Sequence, residues 1–146
     1  GAYVGLAHSL MTMPLVNPIG LMYIAPYRPQ KRAAPIELKL YPDRMMSIAV
    51  NGQESARTKW KAQIDAWFYT VMFVKRGNPA RISLDVYDCA MTLADHVELL
   101  ADTRGQLNTH RIGGNQILGT GYGQNYTWHD DLYIATEHLG PMKVQA

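Results

Sequence analysis

The stretch from Trp60 to Val74 constrains the fold more than any other. One parity reads Trp60, Ala62, Ile64, Ala66, Phe68, Thr70, Met72, Val74; the other starts polar at Lys61, Gln63 and Asp65 and turns apolar at Trp67, Tyr69, Val71 and Phe73. Alternation with period two puts successive side chains on opposite faces, so the stretch predicts a strand over residues 60–74. Its second half is apolar on both parities. That predicts a central strand with one face under a helix and the other under a different cover. Whatever else the chain forms, it must build a sheet around this segment.

The remaining elements fall on either side. Ile36, Leu38 and Leu40 alternate with Glu37, Lys39 and Tyr41, a strand over 36–41, and Met46, Ile48 and Val50 give a second, ended by the turn pair Asn51-Gly52. The polar run 51–59 is expected to project as a loop and touch a neighbouring subunit. Tyr3, Leu6, Ala7, Leu10 and Met11 recur at helical spacing until Pro14, which predicts a short helix over 2–13. A proline-punctuated connector, 14–35, holds a short extended piece at Leu21–Ile24. After Gly77-Asn78-Pro79, the residues Ile82, Val86, Cys89, Ala90, Leu93, Val97 and Leu100 make one helical stripe, predicting a helix over 80–101 that covers the central strand. The last third suggests a hairpin: an arm at 110–120, a turn through Gly121–Asn125 and a return strand at 126–139. The expected fold is α+β in the order α-β-β-β-α-β-β. It has a mixed, mainly antiparallel sheet, one long helix packed on a face and a short N-terminal helix. At 146 residues this is a single domain, 1–146.

Composition narrows the function. With 47% hydrophobic and 18% charged residues the chain is not of the disordered class, and a net charge of +2 does not by itself imply nucleic acid. The charge is unevenly spread: residues 28–81 carry 11 basic and 4 acidic side chains, residues 82–146 carry 3 and 8. Arg57, Lys59, Lys61, Lys75 and Arg76 on one side, and Asp88, Asp95 and Asp102 on the other, are candidate interface residues that could align neighbouring subunits head to tail. Cys89 stands alone, so neither an internal disulfide nor a multi-cysteine metal cluster is available, and its place on the apolar stripe suits a packing role. The uncharged first 27 residues are broken by Pro14, Asn17, Pro18 and Pro26 well short of a membrane span.

No catalytic constellation emerges. His129-Asp130-Asp131 is the densest polar cluster, with His110 on the opposite arm of the expected hairpin. Neighbours on a strand face opposite ways, however, and His129 and Asp130 cannot easily chelate one ion. Gly119-Thr120-Gly121-Tyr122-Gly123 lacks the following helix that a phosphate loop needs, and suits a hairpin tip. None of the four serines sits in a nucleophile elbow. The expectation is a protein without catalytic activity, cofactor or metal. The basic residues Arg28, Lys31, Arg32, Arg57, Lys59, Lys61, Lys75 and Arg76 leave open a small binding module that uses basic loops on nucleic acid or an acidic partner.

A further indication lies in the order of parts. The helix ending near Met13-Pro14-Leu15, the connector through Tyr23-Ile24-Ala25-Pro26-Tyr27, the strand 36–41, the long strand 60–74, the turn Arg76-Gly77-Asn78-Pro79 opening a helix, and a closing hairpin together resemble the tail terminator (tail completion) and neck proteins of long-tailed bacteriophages. That resemblance implies a homo-oligomeric ring, usually a hexamer, that caps the tail tube and ends its polymerisation. Its partners would be the tail tube protein and a head-completion or connector protein. DNA would pass through the lumen without sequence-specific binding. The location would be the virion, after assembly in the host cytoplasm, with no membrane involved.

Overall fold

The computed structural model describes residues 1–10, 18–25, 35–75, 77, 79–102, 109–112 and 127–141, and contains ten strands and no helix among them. The strands are β1 (Ala2–Leu10), β2 (Ile19–Ala25), β3 (Ile36–Leu40), β4 (Met46–Val50), β5 (Gln53–Arg57), β6 (Trp67–Lys75), β7 (Ala80–Tyr87), β8 (Leu93–Ala101), β9 (Thr109–Ile112) and β10 (Thr127–Ala135). They form two five-stranded sheets: sheet A in the order β10-β1-β6-β7-β8 and sheet B in the order β5-β4-β3-β2-β9. Every pairing is antiparallel.

The expected α+β fold is therefore corrected to an all-β one, and both predicted helices are strands. The helix expected over 80–101 is the hairpin of β7 and β8. Ile82 and Val86 lie four apart, a spacing that one face of a helix and one face of a strand share. What separates the two is Leu84 between them. Ala80, Ile82, Leu84 and Val86 are all buried while Arg81 is exposed and Ser83, Asp85 and Tyr87 are half-buried, which is period two. The reversal occurs at Asp88. Its carboxylate accepts hydrogen bonds from the Ala90 and Thr92 N–H groups at 2.9 and 3.0 Å, and Met91 adopts a left-handed φ of 61°. Cys89 sits exposed in this turn, not in a packed stripe.

The helix expected over 2–13 is β1 as far as it is described. Val4, Leu6 and His8 are buried on one face and Ala7 and Ser9 on the other. A strand buried on both faces loses its alternation, and its apolar residues then mimic a helical spacing. Strands 36–41 and 46–50 hold as β3 and β4. The run 51–59 is not a projecting loop: Asn51 and Gly52, both at positive φ, make a two-residue turn, and β5 pairs back on β4 from Gln53. Among the described residues the expected closing hairpin does not form. β9 pairs with β2 in sheet B, β10 pairs with β1 in sheet A, and the turn foreseen at 121–125 lies outside the described residues.

The two sheets pack face to face on one core. Val4, Leu6, Phe68, Met72, Ile82, Leu84 and Val86 of sheet A meet Met22, Ile24, Ile36, Leu38, Leu40, Met46 and Ile48 of sheet B. Inside it His8 is fully buried. Its Nε2 lies 2.7 Å from Thr70 Oγ1, its Nδ1 lies 2.9 Å from His129 Nδ1, and its ring stacks on Phe68. One Nδ1 must donate and the other accept, so the two imidazoles are locked in complementary neutral tautomers.

Candidate functional site

Outside the core, the outward face of sheet A is itself partly covered, with Gly5, Ala7, Ser9 and Val71 buried on it, and register fixes what else stands there. Across β10, β1, β6, β7 and β8, one row reads Asp130, Ala7, Tyr69, Tyr87, Leu93; the next reads Tyr133, Gly5, Val71, Asp85, His96; a third reads Ala135, Tyr3, Phe73, Ser83, Glu98. Strand β1, between β10 and β6, contributes the small residues Gly5, Ala7 and Ser9, so the sheet dips along it between taller side chains. Beside it, Trp67, Tyr69, Asp130 and Asp131 line an open depression of about 250 Å³. Asp131 sits at a left-handed φ of 53° beside an irregularity in the β1–β10 pairing, and its N–H bonds the Asp130 carboxylate at 2.8 Å. Burial, and next the Asp131 carboxylate, push the Tyr69 hydroxyl above its ordinary pKa, so both rings offer neutral aromatic faces.

One end of the dip is closed. The Tyr133 ring lies over Gly5, where an added Cβ would stand 2.0 Å from its Cε1, and its hydroxyl donates to the Gly140 carbonyl at 2.8 Å. Residues 136–141 thus fold back over sheet A. His138 packs edge-on against Tyr3, its Nε2–H meets Asp85 Oδ2 at 2.8 Å, and its Nδ1 accepts the Gly140 N–H at 3.0 Å. The other Asp85 oxygen meets His96 Nδ1 at 2.5 Å, and His96 Nε2 faces Glu98 Oε2 at 3.3 Å. The hydrogen bond to Asp85, reinforced by Glu98, raises the His96 pKa, and that from His96 lowers the pKa of Glu98. This cluster is mutually satisfied, with Arg81 closing it on Glu98 at 3.3 Å. Among the described residues no three His, Cys, Asp or Glu side chains converge as a metal site requires.

The candidate interface residues do not gather into two patches. Arg57 pairs with Asp43 at 2.6 Å and Glu54 at 3.6 Å, beneath which its guanidinium stacks on Tyr41. Asp95 is engaged within its own chain by backbone, not by a basic side chain: its carboxylate accepts the Lys59 and Trp60 backbone N–H groups at 2.6 and 2.9 Å. Asp88 is consumed by its turn. Lys61 is exposed near Asp43, Lys75 ends β6 roughly 25 Å of strand away from Trp67, Asp102 follows β8, and Arg76 lies outside the described residues. His129 and Asp130 do face opposite ways, His129 into the core and Asp130 into the depression. Trp67 and Tyr69 carried the available signal for the site, an apolar parity on a strand whose other parity already supplied a core.

The fold defines a class: a β-rich, two-sheet antiparallel sandwich, here with an aromatic- and carboxylate-lined depression on sheet A. The sequence matches no protein-family model and no curated protein. Among solved structures, the endo-β-1,4-glucuronan lyase of the fungus Trichoderma reesei is similar, with a TM-score of 0.68 and 14% identity over 95% of this chain and 69% of that one. That neighbour is an enzyme; at such identity the likeness is one of fold.

Proposed function

We propose that the chain is a carbohydrate-binding β-sandwich that holds a glycan along the dip of sheet A without cleaving it. The observation that carries this reading is the depression walled by Trp67 and Tyr69 on one side and by Asp130 and Asp131 on the other. A pyranose ring has an apolar C–H face that suits an aromatic ring, and a rim of hydroxyls that carboxylates accept from. Trp67 is 40% exposed, so part of its ring is available to a ligand. Two residues apart on one strand, Trp67 and Tyr69 stand roughly 7 Å from each other and point the same way, a spacing that can serve successive sugars of one chain. The sandwich is also the fold of a glucuronan lyase, which supports a glycan as ligand but does not choose one.

The placement of the carboxylates speaks against hydrolysis in this depression. Hydrolysis of a glycosidic bond needs an acid and a second carboxylate on opposite sides of it, roughly 5–9.5 Å apart. Asp130 and Asp131 are neighbours on one wall, and the facing wall is aromatic. The ring-forming neck role is not carried forward, because the element order behind the phage resemblance is replaced by the sandwich. The basic-loop reading lacks a gathered basic surface among the described residues.

The test is affinity electrophoresis and calorimetry against a panel of soluble polysaccharides, with Trp67→Ala and Tyr69→Ala variants. At least one glycan should bind, and each variant should lose about tenfold in affinity, the equivalent of roughly 1.4 kcal/mol, with an unchanged melting temperature. A wild-type protein that binds no glycan overturns the reading.

A further inference from the structure

The walls of the depression also carry information about charge. Its described lining is two aromatic rings and two carboxylates, with no cationic side chain among them. The other described basic groups on this face are engaged or remote. His96 and His138 are bound to Asp85, Arg81 is bound to Glu98, and Lys75 lies three rows beyond Tyr69 along β6, roughly 20 Å away. A chain of uronate residues would bring a carboxylate against Asp130 at each register, with nothing among these residues to neutralise it. A ligand carrying ammonium groups meets the opposite situation: carboxylates attract it, and the faces of Trp67 and Tyr69 add a cation–π attraction that a neutral or anionic sugar does not receive. Tyr69 serves this well because its hydroxyl stays protonated and its ring neutral beside Asp131.

We infer that the preferred ligand is a cationic glycan, a chain of amino sugars with free, protonated amines, seated with an ammonium group between Asp130 and the Trp67 and Tyr69 rings. This inference rests on the glycan-binding reading above and sharpens it. It also separates this chain from its structural neighbour, whose glucuronan is anionic. The volume of about 250 Å³ has room for a single sugar ring, so the rest of the chain would extend beyond the depression.

The experiment measures the affinity of the wild-type chain, by calorimetry at mildly acidic pH, for three probes of matched length: a β-1,4-glucosamine hexamer, its fully N-acetylated counterpart and a β-1,4-glucuronan hexamer. The expected order is glucosamine first, by tenfold or more over the N-acetylated probe, with no measurable uronate binding. The preference should shrink severalfold between low and high salt, as an exposed charge contact must. Asp130→Asn should bring the affinities for the glucosamine and N-acetylated probes to within about twofold of each other, whereas Trp67→Ala should weaken both and keep their ratio. Equal binding of the two amino-sugar probes, or preference for the uronate, overturns the inference while leaving the glycan reading in place. A folded protein that binds none of the three and no other polysaccharide overturns both.

Discussion

At the scale of single residues, two sites bear on stability, one through pH and one through a backbone anchor. His8 is held well below its ordinary pKa of 6.5 by burial first and by the neighbouring His129 second, and His129 is lowered by burial. The folded state therefore binds fewer protons than the unfolded one, and the stability these residues contribute is complete above pH 6.5 and lost as pH falls below it. His96 runs the other way, since its raised pKa favours the folded state at low pH, but it is exposed and its contribution is screened. The net expectation is a melting temperature that drops progressively below pH 6.5. In His129→Gln, which can still hydrogen-bond but does not titrate there, that drop should be shallower; identical profiles would remove the buried pair from the explanation. Asp95 is the second site. Its carboxylate is an anchor for the Lys59 and Trp60 backbone N–H groups, and Asp95→Ala should cost about 1–3 kcal/mol by leaving them unsatisfied, read as a shift in denaturation midpoint.

At the scale of elements, the β7–β8 hairpin gives the sharpest contrast between a helix and a strand. A helix over 80–101 would bury Leu93 with Ile82 and Val86. In the hairpin Leu93 is 55% exposed while Leu84 is fully buried. Leu84→Asp should therefore unfold the protein, with a loss above about 4 kcal/mol, and Leu93→Asp should stay within about 0.5 kcal/mol of wild type, both read by thermal melts. The same contrast explains what the amino-acid sequence can and cannot convey. Ile36–Leu40, Met46–Val50 and the Asn51-Gly52 turn are legible because each has one clean alternation or one diagnostic dipeptide. β1 is not, because both of its faces are buried. β7 is not, because its inward residues happen to continue at helical spacing into the Asp88 turn and β8. The site was half legible. The apolar outward parity of Trp67, Tyr69, Val71 and Phe73 is plain in the sequence, but it is equally compatible with a covered face, and only the pairing of β6 with the small residues of β1 turns it into a wall. Asp130 and Asp131 enter through a long-range pairing that no local pattern encodes.

At the scale of the whole molecule, a single apolar core bridges both sheets, and strands distant in sequence are adjacent in space: His8 meets His129 across 121 positions. Such a topology should unfold in one cooperative step, with the tryptophan fluorescence and far-ultraviolet dichroism transitions coinciding, and should refold slowly, in milliseconds to seconds, because loop closure precedes most contacts. Refolding in microseconds, or a sheet signal that persists after the tertiary signal is gone, would contradict one shared core. The β1–β10 pairing has a mechanical side as well. Tyr3 lies opposite Ala135 on antiparallel strands, so a pull applied at these two points loads the hydrogen-bonded rungs one after another. The sandwich would open under tension like a zipper from that corner, its outermost rungs yielding first, and residues 136–141, pinned through His138 and Gly140 to sheet A, would be the first part of that outward surface to lift away.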